Sequence, residues 1–229
     1  MKPLLFLLAL ICFTGLIAQK RPLVTVKAGE NIMDVLPTSE IFYYTHFTSG
    51  QVFLRNGSKS GAKLNYNRLV DEMHFINPNG DTLAVASENT IKYIAIGYDT
   101  FYYDAGYIRL LSAGIFVKLG VKQTWKISDT RQIGAYNTTN NSIGMLSYTS
   151  VQNGGSIYDL TVNEDVILTK VERYYFGDNY HHFVTADKGN LLMLFPKEQT
   201  RITSYLKQNK ISFNNLHDLE KLMEFLEHL

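Results

Sequence analysis

From about residue 23 to residue 183 the chain repeats one pattern: short apolar or aromatic runs, each closed by glycine, asparagine or aspartate. Runs of this length predict β-strands, because branched and aromatic side chains suit a pleated, half-buried surface. The pattern places strands at residues 23–26, 51–55, 62–66, 70–76, 82–86, 91–96, 101–103, 107–111, 115–127, 143–148, 156–160, 165–176 and 180–184. Asn56-Gly57 signals a hairpin, here with a loop prolonged through residues 58–61. Asn77-Pro78-Asn79-Gly80-Asp81 and Asp178-Asn179 are turn formers of the same kind. Residues 128–141, polar and rich in Thr and Asn, read as a long loop. Many short strands at this spacing predict a mainly β protein, an antiparallel sandwich or partly open barrel; an α+β fold is the alternative.

The period changes after Asp187. Residues 191–195 are apolar without a decisive period. Pro196 suits the first turn of a helix, where its missing N–H costs nothing, and Asn209-Lys210 ends that helix. Asn215 is a good N-cap for a second, along which Leu216, Leu219, Leu222, Met223, Leu226 and Leu229 recur at helical spacing. The expected organisation is a leader at residues 1–18, a β-rich domain at 19–187 and a C-terminal helical pair within 188–229. The leucine stripe is expected to dock that pair on the sheet, the alternative being a partner-binding groove helix.

The leader reading rests on Lys2, an apolar run over residues 4–17 broken only by Thr14 and Gly15, and Ala18 before the polar Gln19-Lys20-Arg21-Pro22. This is the layout of a cleaved secretory signal peptide, and the run is short for a bilayer span, which needs about 20 residues. Cys12 sits in mid-run behind bulky Ile11, unlike a lipidated cysteine. Cutting after residue 18 removes this single cysteine and leaves 211 of 229 residues. Such a chain has no disulfide or thiolate chemistry, but it can bury about 70% of its unfolded surface and needs no staple. A cysteine-free, multi-stranded exported chain suggests a bacterial envelope protein, in the periplasm or at the outer surface. The sequons at Asn56, Asn137 and Asn140 are then fortuitous. The full chain carries 22 basic and 21 acidic residues, so interspersed charge predicts no nucleic-acid or anionic-membrane footprint.

One likeness is carried by the Ala18-Gln19 junction, Gly50-Gln51-Val52-Phe53-Leu54, Leu64-Asn65-Tyr66-Asn67, Met73-His74-Phe75, Leu194-Phe195-Pro196, Asn209-Lys210-Ile211-Ser212-Phe213 and Asp218-Leu219. On these residues the chain resembles a loose group of uncharacterised exported proteins of Bacteroidetes-type bacteria. The resemblance covers most of the chain after residue 18. It implies a periplasmic or surface location and supplies no catalytic residues.

Motif chemistry is sparse. Gly57-Ser58-Lys59-Ser60-Gly61-Ala62-Lys63 lacks the Gly-Lys-Ser/Thr ending and the following helix of a phosphate loop. Ser60-Gly61-Ala62-Lys63 and Ser204-Tyr205-Leu206-Lys207 match Ser-x-x-Lys, but the companion elements of acyl enzymes are missing. Adjacent His181 and His182 point to opposite faces of a strand and cannot chelate one ion together. A site combining one of them with His74, Asp178 or Glu172 would need tertiary contact. Neither cofactor nor metal is expected, and no catalytic residue is singled out. Asp71, Glu72, Asp99, Asp104, Glu164, Asp165 and Glu172 supply carboxylates for a glycosidase pair. The aromatic load, 13% of residues, is concentrated in Phe42-Tyr43-Tyr44, Phe101-Tyr102-Tyr103 and Tyr174-Tyr175-Phe176. Strand alternation turns some of these rings outward, and Tyr43, Tyr102, Tyr174 and Tyr175 are the candidate binding residues. The leading expectation is a non-catalytic binding or structural module whose partner is an envelope protein or glycan. It excludes nucleic acid and, once the leader is cut, integral membrane insertion. The rival is a carbohydrate-active hydrolase using a carboxylate pair.

Overall fold

The computed structural model describes residues 23–131 and 160–229. The leader predicted over residues 1–18, the strand predicted at 143–148, all but Leu160 of the one at 156–160, and the sequons at Asn137 and Asn140 lie outside the described residues. The architecture is mainly antiparallel β with C-terminal helices, as the periodicity predicts, and the sheet is open rather than closed into a barrel. Among the described residues eleven strands follow in chain order: β1 (Leu23–Val26), β2 (Thr48–Leu54), β3 (Lys59–Asn67), β4 (Glu72–Ile76), β5 (Thr82–Ala84), β6 (Ile91–Ile96), β7 (Asp99–Tyr103), β8 (Tyr107–Ala113), β9 (Lys118–Arg131), β10 (Asp165–Gly177) and β11 (Phe183–Thr185). Two short helices, α1 (Ile32–Val35) and α2 (Thr38–Ile41), separate β1 from β2; α3 (Lys188–Leu194), α4 (Gln199–Asn209) and α5 (Leu216–Leu226) follow the last strand.

The spatial order is β1-β10-β9-β8-β7-β6-β2-β3-β4-β5, with β11 sharing the β1 edge of β10. β9 runs further than the sequence pattern suggests: Ser128 begins no loop but forms a bulge within the strand, between the Ile127–Leu168 and Asp129–Ile167 pairs. Its polarity is satisfied locally, the hydroxyl donating to Ile167 O at 3.1 Å and accepting from Thr169 Oγ1 at 2.8 Å. Pro196 likewise lies ahead of α4 rather than in its first turn, and residues 191–194 belong to α3, capped by Asp187 Oδ1 on Asn190 N at 2.8 Å. Asn215 caps α5 as its sequence position implies, accepting from Asp218 N at 3.1 Å.

Paired residues of an antiparallel ladder share a face, and successive residues alternate. Following the registers from strand to strand puts Val52, Leu64, Tyr66, Ile94, Phe101, Val121, Tyr174 and Phe176 on one face, called the inner face here. All three buried clusters lie there. Helices α3 to α5 pack Leu191, Ile202, Leu206, Leu219, Leu222 and Leu226 on the β9–β10 end, consuming the leucine stripe. The β1–α1–α2 segment covers Trp125, Val166 and Leu168 further along the same strands. The third cluster, around Leu64, Ile94 and Phe101, is closed by Tyr43 and Tyr44.

The sheet coils over this face until distant strands meet. The Tyr66 ring on β3 lies 5.7 Å from Phe101 and 6.0 Å from Tyr107, and Trp125 N of β9 donates to Arg68 O at 3.1 Å. Arg68, buried at the β3 end, donates its guanidinium to Ser39 O and Phe42 O, holding the carbonyls that end α2. The indole of Trp125 donates to Glu40 O at 2.9 Å. These bonds satisfy helix-end carbonyls that burial would otherwise orphan.

Candidate functional site: the outer sheet face

Alternation splits the two strand-borne aromatic triplets between the faces, while Phe42, Tyr43 and Tyr44, ahead of β2, all pack on inner clusters. On β7, Phe101 points inward at 1% exposure while Tyr102 points outward. On β10, Tyr174 and Phe176 point inward and Tyr175 outward, opposite Gly120 and Thr185. Tyr174 lies in the α3–α5 cluster, its hydroxyl donating to Glu172; burial and that carboxylate raise its pKa. Tyr43, just before the sheet, stands under Arg109, whose guanidinium carbon lies 5.2 Å from the ring centre. The four candidates therefore do not form one site: Tyr43 and Tyr174 belong to two inner clusters, and Tyr102 and Tyr175 share the outer face.

Around Tyr102 the outer face carries a ridge that the aromatic triplets alone do not reveal. Phe53 of β2 stacks on Tyr93 of β6 at 4.4 Å, and Tyr93 lies 6.2 Å from Tyr102. Tyr102 stacks in turn on His181 at 4.6 Å and sits 5.4 Å from Phe183. The turn of residues 178–182 folds back to place His181. Asp178 accepts from the N–H groups of Tyr180 and His182, at 2.8 and 2.9 Å, and His181 adopts φ +69°. A left-handed β-carbon-bearing residue is a strained arrangement that its surroundings must hold. Gly177 makes room for Phe183, since a β-carbon there would lie 2.5 Å from its ring; one on Gly120 would lie 2.5 Å from Ile108 Cγ2 and 3.3 Å from Phe183 Cε1. Burial lowers the pKa of His181, and Lys118, Lys92 and Arg55 push the same way against the opposing pull of Asp178. The imidazole is therefore neutral at neutral pH, amid cations.

The remaining polar side chains are taken up in local pairs. Asp71 pairs with Lys122 at 2.8 Å and accepts from the Tyr66 hydroxyl at 2.7 Å; Asp99 takes Arg109 at 3.2 Å and Tyr44 at 2.7 Å. Asp104 accepts from Phe183 N at 2.6 Å, Asp165 pairs with Lys27 at 2.7 Å, and Glu72 lies 3.3 Å from His74. These carboxylates are thus tied to cations, tyrosine hydroxyls, an imidazole or a backbone N–H, and Asp71 and Glu72 act together with Glu88 on the buried Tyr107 hydroxyl. His74 and His181 serve separate aromatic neighbours, Phe42 and Tyr102. Among the described residues no three His, Cys, Asp or Glu are grouped as metal ligands, and no described helix is long and apolar enough to cross a membrane. A shallow groove of about 610 Å³ over the β3–β4 hairpin, lined by Lys63, Phe75, Asn77 and Pro78 among others, contains no carboxylate. Compared with family models, curated proteins and solved structures, the chain matches none.

Proposed function

We propose that this protein is an exported, non-catalytic binding module of the cell envelope, and that the outer sheet face is its ligand surface. The observation that carries the reading is the aromatic ridge Phe53–Tyr93–Tyr102–His181–Phe183. It lies on the face away from all three helix- and loop-covered clusters. A sheet can be stabilised by one buried face alone. An ordered row of stacked rings on the second face, held by a strained turn and two glycine gaps, is a local expense that the inner core does not require. Rings presenting apolar strips with hydroxyls at their margins suit the C–H face and hydroxyl rim of a sugar. Export rests on the leader-like residues 1–18, and the non-catalytic reading on the local partners that engage Asp71, Asp99, Asp104 and Asp165.

Affinity electrophoresis of the purified protein through gels containing envelope polysaccharides tests this reading. Retardation by at least one polysaccharide is expected, lost in Tyr93→Ala while the urea-unfolding midpoint of that variant stays within reach of the parent. Release of reducing ends from any retarding polysaccharide would overturn the non-catalytic assignment.

A further inference from the structure

We infer that the ligand of this face is an acidic polysaccharide, bound through its carboxylates by two banks of cations that flank the aromatic ridge. The inference rests on the outer face being the binding surface. Along β9, alternation puts Lys118, Gly120, Lys122, Thr124 and Lys126 on the outer face, so lysine takes three of five successive outward positions. Arg173 of β10 stands directly opposite Lys122 in the ladder. On the other flank, Lys59 stands directly opposite Phe53, and Arg55 and Lys92 adjoin the Phe53–Tyr93 stack. Their charge reaches His181 from that side as Lys118 does from the other.

These cations differ from those on the inner face. Inside, Arg109 pairs with Asp99 and Lys170 with Glu40. Outside, Lys122 pairs with Asp71 and Lys118 donates to the Asp178 carbonyl. Among the described residues, however, Arg55, Lys59, Lys92, Lys126 and Arg173 have no carboxylate within ion-pair distance. All five are exposed. Like charges directly opposite, as at Lys122 and Arg173, oppose strand pairing. On a chain with 22 basic and 21 acidic residues, this grouping of cations on one face arises by segregation, not from net charge.

The ridge and the banks together select the ligand class. An unpaired nucleobase needs a ring face free to receive it. Here the rings are spent on one another, at 4.4 Å for Phe53–Tyr93 and 4.6 Å for Tyr102–His181, and Tyr102 is only 7% exposed. What is left is a low apolar strip between cations, the complement of a sugar ring with a carboxylate on its edge. The charges supply orientation and encounter rate, and their contribution falls as salt screens them.

Titration of the purified protein with polygalacturonate, its fully methyl-esterified form and poly(dT) tests the inference, each at low and high salt. The expected result is binding to polygalacturonate that weakens with salt, with little or none to the ester. The double variant Lys126→Gln/Arg173→Gln should lose between about two- and thirtyfold in affinity, the product of two exposed ion pairs. Its unfolding curve should be unchanged. Equal, salt-independent binding of the ester overturns the acidic ligand while leaving the face a sugar-binding surface. Tighter binding of poly(dT), or binding unaffected by the double variant, also overturns it. Failure of every polysaccharide in gel retardation, with Tyr93→Ala indistinguishable from the parent, brings down the binding reading itself.

Discussion

The two faces of the sheet use the same strands, yet they hold charge and aromatic rings in opposite ways. On the inner face rings are sealed beneath helices and loops: Phe101, Tyr107 and Phe176 are each no more than 1% exposed. The ions there answer one another. On the outer face the rings stack on one another and, with the turn of residues 178–182, cover only the small patch of Ile108, Gly120 and Gly177, and the cations outnumber the acids that reach them. The inner face is what an antiparallel sheet needs to fold, since burying one side suffices. The outer face has an order that burial of one side does not require, and the proposed binding role rests on that surplus.

Substituting matched rings from the two faces should break the comparison most decisively. Phe101 contacts Tyr43 and Tyr66 at ring distances of 5.9 and 5.7 Å inside the third cluster. Phe101→Ala is expected to cost about 3–5 kcal/mol, the usual range for emptying an aromatic core site. Phe53 is half-buried on the ridge, and Phe53→Ala should cost about 1–2 kcal/mol, in proportion to the smaller apolar area it covers. Urea unfolding of both variants provides the check. Equal losses would show that the ridge is a second core rather than a surface.

A smaller effect tests whether the ridge is built by the glycine gaps. Gly177→Ala would place its β-carbon 2.5 Å from Phe183 Cε1 and 2.8 Å from Cδ1 and Cζ. The ring must then move, at about 1–3 kcal/mol for an overpacked contact. Phe183→Ala removes the obstacle. The double variant should therefore be more stable than the sum of the single losses by about 1 kcal/mol, a coupling that a double-mutant cycle resolves. Additive losses would mean that Phe183 does not occupy the gap.

The inner face was legible in the chain and the outer site was not, for identifiable physical reasons. Strand periodicity found β6 over Ile91–Ile96 and β1 over Leu23–Val26 with their observed bounds, because apolar alternation is the direct imprint of one buried face. The leucine stripe found α5, and Asn215 its start. Charge segregation also lies in the sequence, as Lys118-x-x-x-Lys122-x-x-x-Lys126 at strand period two. Summing charges over the whole chain conceals it. The ridge left fainter traces: Phe53 and Tyr93 stand alone in their strands, and His181 reaches Tyr102 only through a turn whose left-handed φ is a tertiary property. The consecutive aromatics are the stronger sequence signal, yet alternation divides those of β7 and β10 between faces and Phe42-Tyr43-Tyr44 lies wholly inside. The helices α1 and α2, at four residues each, are too short for any period to show.

The smallest effect links the ridge to its ligand through the proton on His181. Burial and the cations Lys118, Lys92 and Arg55 disfavour the imidazolium, with Asp178 opposing them, so the folded pKa lies below the unfolded value of about 6.5. Between those two values the unfolded chain binds more protons than the folded one. Stability contributed by the neutral ring is thus complete above about pH 6.5 and declines as pH falls towards the folded pKa. His181→Asn, which tolerates the left-handed backbone, should lack this part of the decline in urea midpoints measured from pH 7.5 to pH 5. An acidic ligand neutralises the same cations, so by reciprocal linkage it must raise the His181 midpoint, and lower pH must strengthen its binding. A neutral ester lacks the charge to do so. An NMR titration of the His181 ring, free and with each polymer, distinguishes the cases: a midpoint below 6.5 that rises with polygalacturonate alone ties the outer face's surplus charge to its ligand, whereas a midpoint indifferent to both polymers would separate the cations from recognition.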